Sequence, residues 1–372
     1  MIKVLVVDDS VVIRRLVSDL LAADPEIEVV GTAVNGRAGV EKVAALEPDL
    51  VTMDIEMPEV DGIEAVRRIR ATGSKVPVIM FSTLTERGAA ATLDALAAGA
   101  SDYVAKPANV GSVGRSMEQV RDALIPRIKS LVPQAARPEG RPGTRTSARQ
   151  AAPTREARPI ALRPPRPTPA GGHRLVLVGS STGGPEALGT LLAALPPLPV
   201  PVVVVQHMPP LFTRQLAARL DRNVAARVVE AEHGQPLLPG TVAIAPGDHH
   251  LHVTGRPGRL AVRLSQEPPE NYCRPAVDVL LRSAVEAVGG AALGVVLTGM
   301  GQDGCRGAQV LVDAGGSVLA QDQATSVVWG MPGAVAGAGL AEQVLPLADI
   351  APELVRRLAP QRTAVPVAGA SR

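Results

Sequence analysis

Aromatic side chains are nearly missing from this chain of 372 residues, which holds one Trp, two Tyr and two Phe. Single-stranded nucleic acid is gripped by aromatic platforms along a basic groove; here net charge is only +2 and no basic stripe is interleaved with aromatics. No nucleic-acid partner is expected. Cysteine is equally scarce. Cys273 and Cys305 are too few for a disulfide framework, and neither lies in a Cys-x-x-Cys or similar ligand spacing, which fits a reducing compartment. Long hydrophobic runs are absent as well: hydrophobic residues make up 46% of the chain, yet Pro, Gly or charge interrupts each stretch before it could cross a bilayer. The opening Met1-Ile2-Lys3-Val4-Leu5-Val6-Val7 runs directly into Asp8 and Asp9, leaving no signal-peptide core or cleavage site. A cytoplasmic protein without membrane insertion is the expectation.

What is present is α/β patterning, twice. The length exceeds what one hydrophobic core usually serves, so two domains are expected. Over 1–133, short β-rich runs (Ile2 to Val7, Glu28 to Val34, Leu50 to Met53, Val76 to Phe81, Asp102 to Val104) alternate with helical periodicities such as Val12, Leu16, Leu20, with Ser10 as N-cap. That alternation predicts a doubly wound domain on a five-stranded parallel sheet. Residues 134–172 change to Pro, Ala, Gly, Thr and Arg, with Arg137, Arg141, Arg145 and Arg149 among the cations and only Glu139 and Glu156 against them. This tract reads as a solvated linker rather than a docking arm for an acidic partner or a membrane surface. A second α/β pattern fills 173–360, with runs at Leu175 to Val178, Val200 to Val205, Val242 to Ala245, Leu293 to Leu297 and Val318 to Ala320 and a hairpin expected around His250 to Leu264. It predicts another doubly wound, mostly parallel sheet. Residues 361–372 read as a frayed tail.

In open parallel sheets ligands bind beyond the carboxyl ends of the strands, so the residues that follow each apolar run carry the information. In the first domain Asp8 and Asp9 follow the first run, Asp54 the third and Ser82 the fourth, and Lys106 closes the fifth in Tyr103-Val104-Ala105-Lys106-Pro107. A solvated turn explains any one of these, but not all of them in register. Clustered carboxylates repel unless a cation neutralises them, and hard oxygen ligands that leave room for water and phosphate suit Mg²⁺. Asp54 is placed as the nucleophile toward phosphate.

The same logic in the second domain selects Ser180-Ser181-Thr182-Gly183-Gly184, then Gln206-His207-Met208-Pro209-Pro210, then Thr298-Gly299-Met300-Gly301-Gln302-Asp303-Gly304. A serine in a Gly-rich strand-to-helix turn faces a helix N-terminus, where backbone N–H groups favour oxyanion charge. His207 could take its proton as general base, with Asp303 fixing the tautomer. Gly179-Ser180-Ser181-Thr182-Gly183 matches a Gly-x-Ser-x-Gly elbow centred on Ser181, although the order Ser, His, Asp is not the usual one for that elbow. Alternatives stay open at this level: the turn could hold a phosphate, and His207 could be a satisfied core histidine. Asp248-His249-His250-Leu251-His252 lacks helical zinc spacing and reads as loop histidines, and Cys305 reads as a small buried filler rather than a thiol nucleophile.

Val7-Asp8-Asp9-Ser10, Met53-Asp54-Ile55-Glu56-Met57-Pro58, Ser82-Thr83 and Lys106-Pro107 together resemble a response-regulator receiver domain. Gly179-Ser180-Ser181-Thr182-Gly183-Gly184-Pro185-Glu186, Gln206-His207-Met208-Pro209, Ala245-Pro246-Gly247-Asp248, Arg274-Pro275-Ala276-Val277-Asp278, the Thr298 to Gly304 block and Gly330-Met331-Pro332 resemble the chemotaxis-type protein-glutamate methylesterase domain. The resemblance implies a flavodoxin-like receiver followed by a Rossmann-like hydrolytic domain, in which phosphorylation activates hydrolysis of glutamate methyl esters and glutamine deamidation. It further implies that Asp8, Asp9 and Asp54 hold Mg²⁺, that Asp54 becomes the aspartyl phosphate, and that Ser82, Tyr103 and Lys106 form the phosphate switch. In the second domain it implies a Ser181, His207, Asp303 triad without cofactor, with Thr182 and Met300 lining the site and the Met300 amide as oxyanion donor. The implied partners are a chemotaxis sensor histidine kinase as phosphodonor and methyl-accepting chemoreceptors as substrate, for a monomer that adapts those receptors. One departure is Cys273, which stands where the pattern leads one to expect histidine. The rival readings are a hydrolase for another ester, a phosphorylation-dependent binding module and a DNA-binding regulator, the last disfavoured by the long α/β second domain.

Overall fold

The computed structural model describes residues 1–106, 113–132, 161–166, 169 and 171–359, with side chains of the helix over 113–131 from residue 118 onward. Pro107, residues 133–160 of the boundary and expected linker, and the tail 361–372 lie outside the described residues.

In the first domain β1 (Ile2–Val7), β2 (Ile27–Ala33), β3 (Leu50–Asp54), β4 (Val78–Ser82) and β5 (Asp102–Ala105) alternate with α1 (Val11–Ala22), α2 (Gly36–Leu46), α3 (Gly62–Ala71), α4 (Glu86–Ala97) and α5 (Val113–Leu131). The strands form one parallel sheet in the order β2-β1-β3-β4-β5. Every residue of β3 and β4 is buried, as a central strand covered by helices on both faces requires, which is why these segments read as continuous apolar runs. Ser10 caps α1 as its side chain predicts, with Oγ accepting from the Ile13 amide at 3.4 Å. The order reverses between β1 and β3, so the polar residues after those two strands converge.

The second domain runs β6 (Leu175–Ser180), α6 (Gly184–Ala193), β7 (Val202–Gln206), α7 (Pro210–Asn223), β8 (Arg227–Glu230), β9 (Thr241–Ile244), β10 (His250–Arg256), β11 (Arg259–Ser265), α8 (Val277–Val288), β12 (Ala292–Val296), α9 (Cys305–Asp313), β13 (Ser317–Gln321), α10 (Met331–Gly337), β14 (Gln343–Leu345) and α11 (Leu347–Leu358). Its seven-stranded sheet has the order β14-β13-β12-β6-β7-β9-β8, with each neighbouring pair parallel. The expected hairpin is the antiparallel pair β10 and β11. β8 and β14 were not among the expected strands. Both are short, half-exposed edge strands, so neither needs a continuous apolar run.

The two domains share a packed face. Leu93 and Leu96 of α4 join Phe212 and Leu216 of α7 in one buried apolar cluster. The far end of the expected linker is held on the second domain: the Arg163 amide donates to Ala341 O at 2.9 Å, and the Arg166 amide to Glu342 Oε1 at 3.3 Å. Among the described residues no helix is long and apolar enough to cross a membrane.

Candidate active site

At the carboxyl edge of the first sheet, carboxylate oxygens of Asp8, Asp9 and Asp54 lie within 4.8 Å of one another. Lys106 Nζ reaches Asp54 Oδ2 at 2.7 Å and Asp8 Oδ2 at 3.5 Å. Burial pushes the Asp8 and Asp54 carboxyls above their usual range against the pull of Lys106. Burial also acts to depress Lys106, but its hydrogen bond to Asp54 and the charges of Asp54 and Asp8 outweigh that and raise it. Three acids against one cation make an oxygen-rich cluster that a divalent ion would neutralise. Ser82 is buried beside it, but its Oγ accepts from Thr92 Oγ1 at 2.6 Å and does not bond Asp54. Tyr103 points away from the acids, its ring stacked on Phe212 of the other domain at 4.7 Å between centroids and 9° between planes. Burial, then the nearby Asp102 charge, pushes its phenol pKa up.

In the second sheet the order reverses at β6, between β7 and β12, so the loops after those three strands meet. They carry Ser181, His207 and Asp303. His207 Nε2 lies 2.8 Å from Asp303 Oδ2; an ionised carboxylate only accepts, so the hydrogen sits on Nε2 and Nδ1 is the nitrogen left for base chemistry. Nδ1 faces Cys273 Sγ at 3.5 Å, the position where histidine was expected. Burial opposes the imidazolium, but the hydrogen bonds to Asp303 and Cys273 outweigh it and raise the His207 pKa above that of an ordinary imidazole. Burial likewise opposes the Asp303 charge, and the His207 bond and the Val277 and Asp278 amides overcome it, holding Asp303 below the usual carboxylate range.

Ser181 is placed by its backbone. Its amide donates to Thr298 O at 3.0 Å, and its carbonyl accepts from Gly184 N at 2.8 Å and Gln206 Nε2 at 2.9 Å. Gln206 also accepts from Ser180 Oγ at 2.7 Å, which engages that neighbouring hydroxyl in the core and leaves Ser181 as the half-buried one. The packing admits no side chain at two glycines. A Cβ on Gly184 would sit 1.9 Å from Gln206 Oε1, and one on Gly299 would sit 2.9 Å from Ser181 Cβ and 2.4 Å from Met331 Sδ. Among the described residues no hydrogen bond joins the Ser181 hydroxyl to His207: the base and acid are paired, and the serine is adjacent but not engaged. Such contacts commonly tighten only with substrate.

The first domain covers this site. Thr182 Oγ1 donates to Asp102 Oδ2 at 2.7 Å, and Arg127 Nε donates to the same oxygen at 3.1 Å. Met300 packs on the apolar cluster that includes Phe81 and Val104. Beside the contact opens a cleft of about 590 Å³ whose walls include Tyr103, Arg127, His207, Tyr272 and Cys273. Sequence reasoning passed over Asp102, because nothing in a strand's first residue signals a partner in another domain. It also gave no role to Gln206, Asn271 or Asp278, although Gln206 and Asp278 stood inside quoted motifs.

One sequence expectation is corrected. His250 and His252 are not loop residues but buried members of β10, with His250 Nε2 3.1 Å from Pro268 O and His252 Nε2 2.9 Å from Ser265 Oγ. Both faces of this strand start are covered: His250, Leu251, His252 and Val253 are all buried, Leu251 and Val253 in the apolar cluster shared with α8 and the two histidines on the opposite face. Cys305 is half-buried at the start of α9, with Sγ 3.6 Å from Ala334 O, and burial pushes its thiol pKa up, the opposite of what a thiolate nucleophile needs.

Known proteins of this pattern are readily found. The CheB methylesterase family matches residues 176–354, and the response regulator receiver domain matches residues 4–115. The chain is 72% identical over 369 residues to a protein-glutamate methylesterase/protein-glutamine glutaminase of Nocardioides sp., covering 99% of each. It is 45% identical over 364 residues to the protein of the same name in Trichodesmium erythraeum, covering 96% of this chain and 99% of that one. The crystal structure of the Thermotoga maritima CheB methylesterase catalytic domain is 45% identical, with a TM-score of 0.49, and covers 50% of this chain and 98% of that one. With both domains matched in order and identity sustained from end to end, this chain belongs to the protein-glutamate methylesterase/protein-glutamine glutaminase family, a receiver domain followed by a CheB methylesterase domain.

Proposed function

We propose that this chain hydrolyses γ-glutamyl methyl esters, and deamidates glutamine side chains, on the cytoplasmic helices of methyl-accepting chemoreceptors. The observation that carries the reading is the buried His207–Asp303 pair beside the Ser181 turn, at the strand-order reversal of a chain in this family. Ser181 Oγ attacks the ester carbonyl while His207 Nδ1 takes its proton, and Asp303 stabilises the imidazolium that forms. The same proton goes to the leaving methoxide, releasing methanol. Water, deprotonated by His207, then attacks the acyl-serine to give glutamate and restore Ser181. The Met300 amide and the N-terminus of α6 supply oxyanion stabilisation, and Thr182 lines the pocket. In this reading the chemistry of this domain needs no cofactor, and the chain acts as a monomer.

Residues 1–133 serve as the receiver, 134–172 as linker and 173–360 as the hydrolase, with 361–372 a tail. In the receiver Asp8, Asp9 and Asp54 would hold Mg²⁺, which supplies charge neutralisation for phosphoryl transfer. Asp54 accepts the phosphoryl group from a chemotaxis sensor histidine kinase, Lys106 pairs with its oxygens, and Ser82 and Tyr103 change partners in response. Because Tyr103 and Asp102 both touch the second domain, that response weakens the cover over Thr182 and shifts the population toward an open site. The test is release of labelled methanol from methylated receptor membranes with Mg²⁺ and a small phosphodonor. Ser181→Ala should abolish release, and Asp54→Ala should leave basal release without stimulation. Release that survives Ser181→Ala would remove the proposed nucleophile.

A further inference from the structure

We infer that Tyr272 is a substrate-contact residue: its ring, held in solvent at the rim of the cleft beside His207, covers the surface of the helix that carries the ester. The inference rests on the reading of a receptor helix as substrate and names the side chain that grips it.

Exposure alone decides nothing, because single exposed apolar side chains are ordinary on a folded protein. Three observations together decide it. The chain has few aromatic rings, and the others serve the fold: Phe81 and Phe212 are buried, Tyr103 stacks on Phe212, and the Trp329 indole donates to Gln321 O at 3.0 Å. Tyr272 stands wholly in solvent.

Its backbone is also strained. Glu270 and Cys273 exchange both backbone hydrogen bonds, at 3.1 and 2.8 Å, closing a two-residue turn in which Asn271 and Tyr272 have φ of 51° and 63°. Asn and Gly suit that region, whereas a bulky aromatic residue is disfavoured there. A fully exposed ring gains no packing in the folded chain that would offset the strain, and strain of this kind gathers where a ligand is gripped.

Finally, the turn is anchored in the site. Asn271 Nδ2 donates to Asp303 Oδ1 at 2.8 Å, and Cys273 Sγ lies 3.5 Å from His207 Nδ1. Tyr272, between these two, is held at a fixed place beside the base and lines the same cleft as His207.

The chemistry of the substrate supplies the occupant. A glutamyl ester presented to Ser181 from a helix brings with it the residues three and four positions away on the same face, about 5–6 Å from it. A ring that turns on only two side-chain torsions covers such a surface with little loss of entropy, which is why tyrosine anchors interfaces. Tyr272 binds the aliphatic part of that helix face and leaves the ester itself to the triad.

The test uses the full chain with Mg²⁺ and phosphodonor, and compares methanol release from methylated receptor membranes with hydrolysis of a small γ-glutamyl methyl ester that has no helix to cover. Tyr272→Gly keeps the turn, since Gly adopts positive φ freely, so thermal unfolding should come no earlier than in the parent. Its KM for receptor membranes should rise at least about tenfold with kcat little changed, the scale on which truncating an interface tyrosine is felt. Its kcat/KM for the small ester should fall far less. Tyr272→Phe keeps the ring and should keep the parent KM. An unchanged KM for membranes in Tyr272→Gly, an equal loss on both substrates, or a Phe variant as defective as the Gly variant would each overturn the contact. If the parent releases no methanol from the membranes, the receptor reading falls and this inference with it; if the parent does and Tyr272→Gly matches it, only this inference falls.

Discussion

Replacing Asp102 by Ala should switch the enzyme on without a phosphodonor. Asp102 is 6% exposed and its Oδ2 receives the Thr182 hydroxyl at 2.7 Å, the most direct bond between the receiver and the proposed active site. A hydrogen bond to a charged acceptor contributes about 1.5–3 kcal/mol, which corresponds to a population shift of roughly 10- to 150-fold toward the open form. The gain in basal methanol release should fall in that range and saturate at the phosphorylated level, since both perturbations populate the same state. Thr182 and the triad are untouched, and Arg127, which also bonds Asp102 at 3.1 Å, has a side chain 31% exposed and can be hydrated instead. A useful contrast is Arg219→Ala, which breaks the interdomain pair Arg219–Asp94 at 2.6 Å. Asp94 is more than half exposed there, so the loss should be worth about 0–1 kcal/mol and release should rise only a few-fold. Basal release unchanged by Asp102→Ala, with the phosphodonor still stimulating to the same ratio, would refute the assignment of this contact as a lock.

Further outcomes follow from the same geometry. Gly299→Ala places a methyl 2.4 Å from Met331 Sδ and 2.9 Å from Ser181 Cβ, so it should cost about 1–3 kcal/mol in thermal or urea unfolding and suppress release more than the stability loss alone explains. The His207 pKa is raised and the Asp303 pKa lowered, so the pair stabilises the fold between those limits. Its contribution is lost as pH rises through the raised His207 value or falls through the lowered Asp303 value; Asp303→Asn should therefore cost about 3–5 kcal/mol near neutrality and progressively less at either extreme in pH-dependent unfolding. The acid limb of kcat/KM in the parent should lie above the ordinary imidazole value, because the free base is needed and its protonated form is favoured. Chelation by EDTA should abolish phosphodonor stimulation while leaving basal release intact, if only the Asp8, Asp9 and Asp54 cluster uses a metal.

Much of this was written in the chain itself. A buried parallel strand must be apolar along its whole length and must end where ligands bind, so β1, β3, β6, β7 and β12 announced both themselves and the polar residues after them. Asp8, Asp54, Ser181, His207 and Asp303 were legible for that reason. β8 and β14 were not, since an edge strand shares its burial with solvent and carries no such run. Asn271 was equally silent: it sits in a turn, and its partners are two carboxylates that follow it in sequence at 7 and 32 residues' distance.

The sequence by itself determined two doubly wound domains and the residue types at each sheet's reactive edge, because local burial and strand direction are encoded in short-range patterning. Only the tertiary structure decided which nitrogen of His207 meets Asp303 across 96 residues, that Cys273 faces the other nitrogen, and that Asp102 closes on Thr182 across 80. Those are consequences of how helices and loops pack in three dimensions, where a hydrogen bond depends on ångström distances and directions that no periodicity in the chain records.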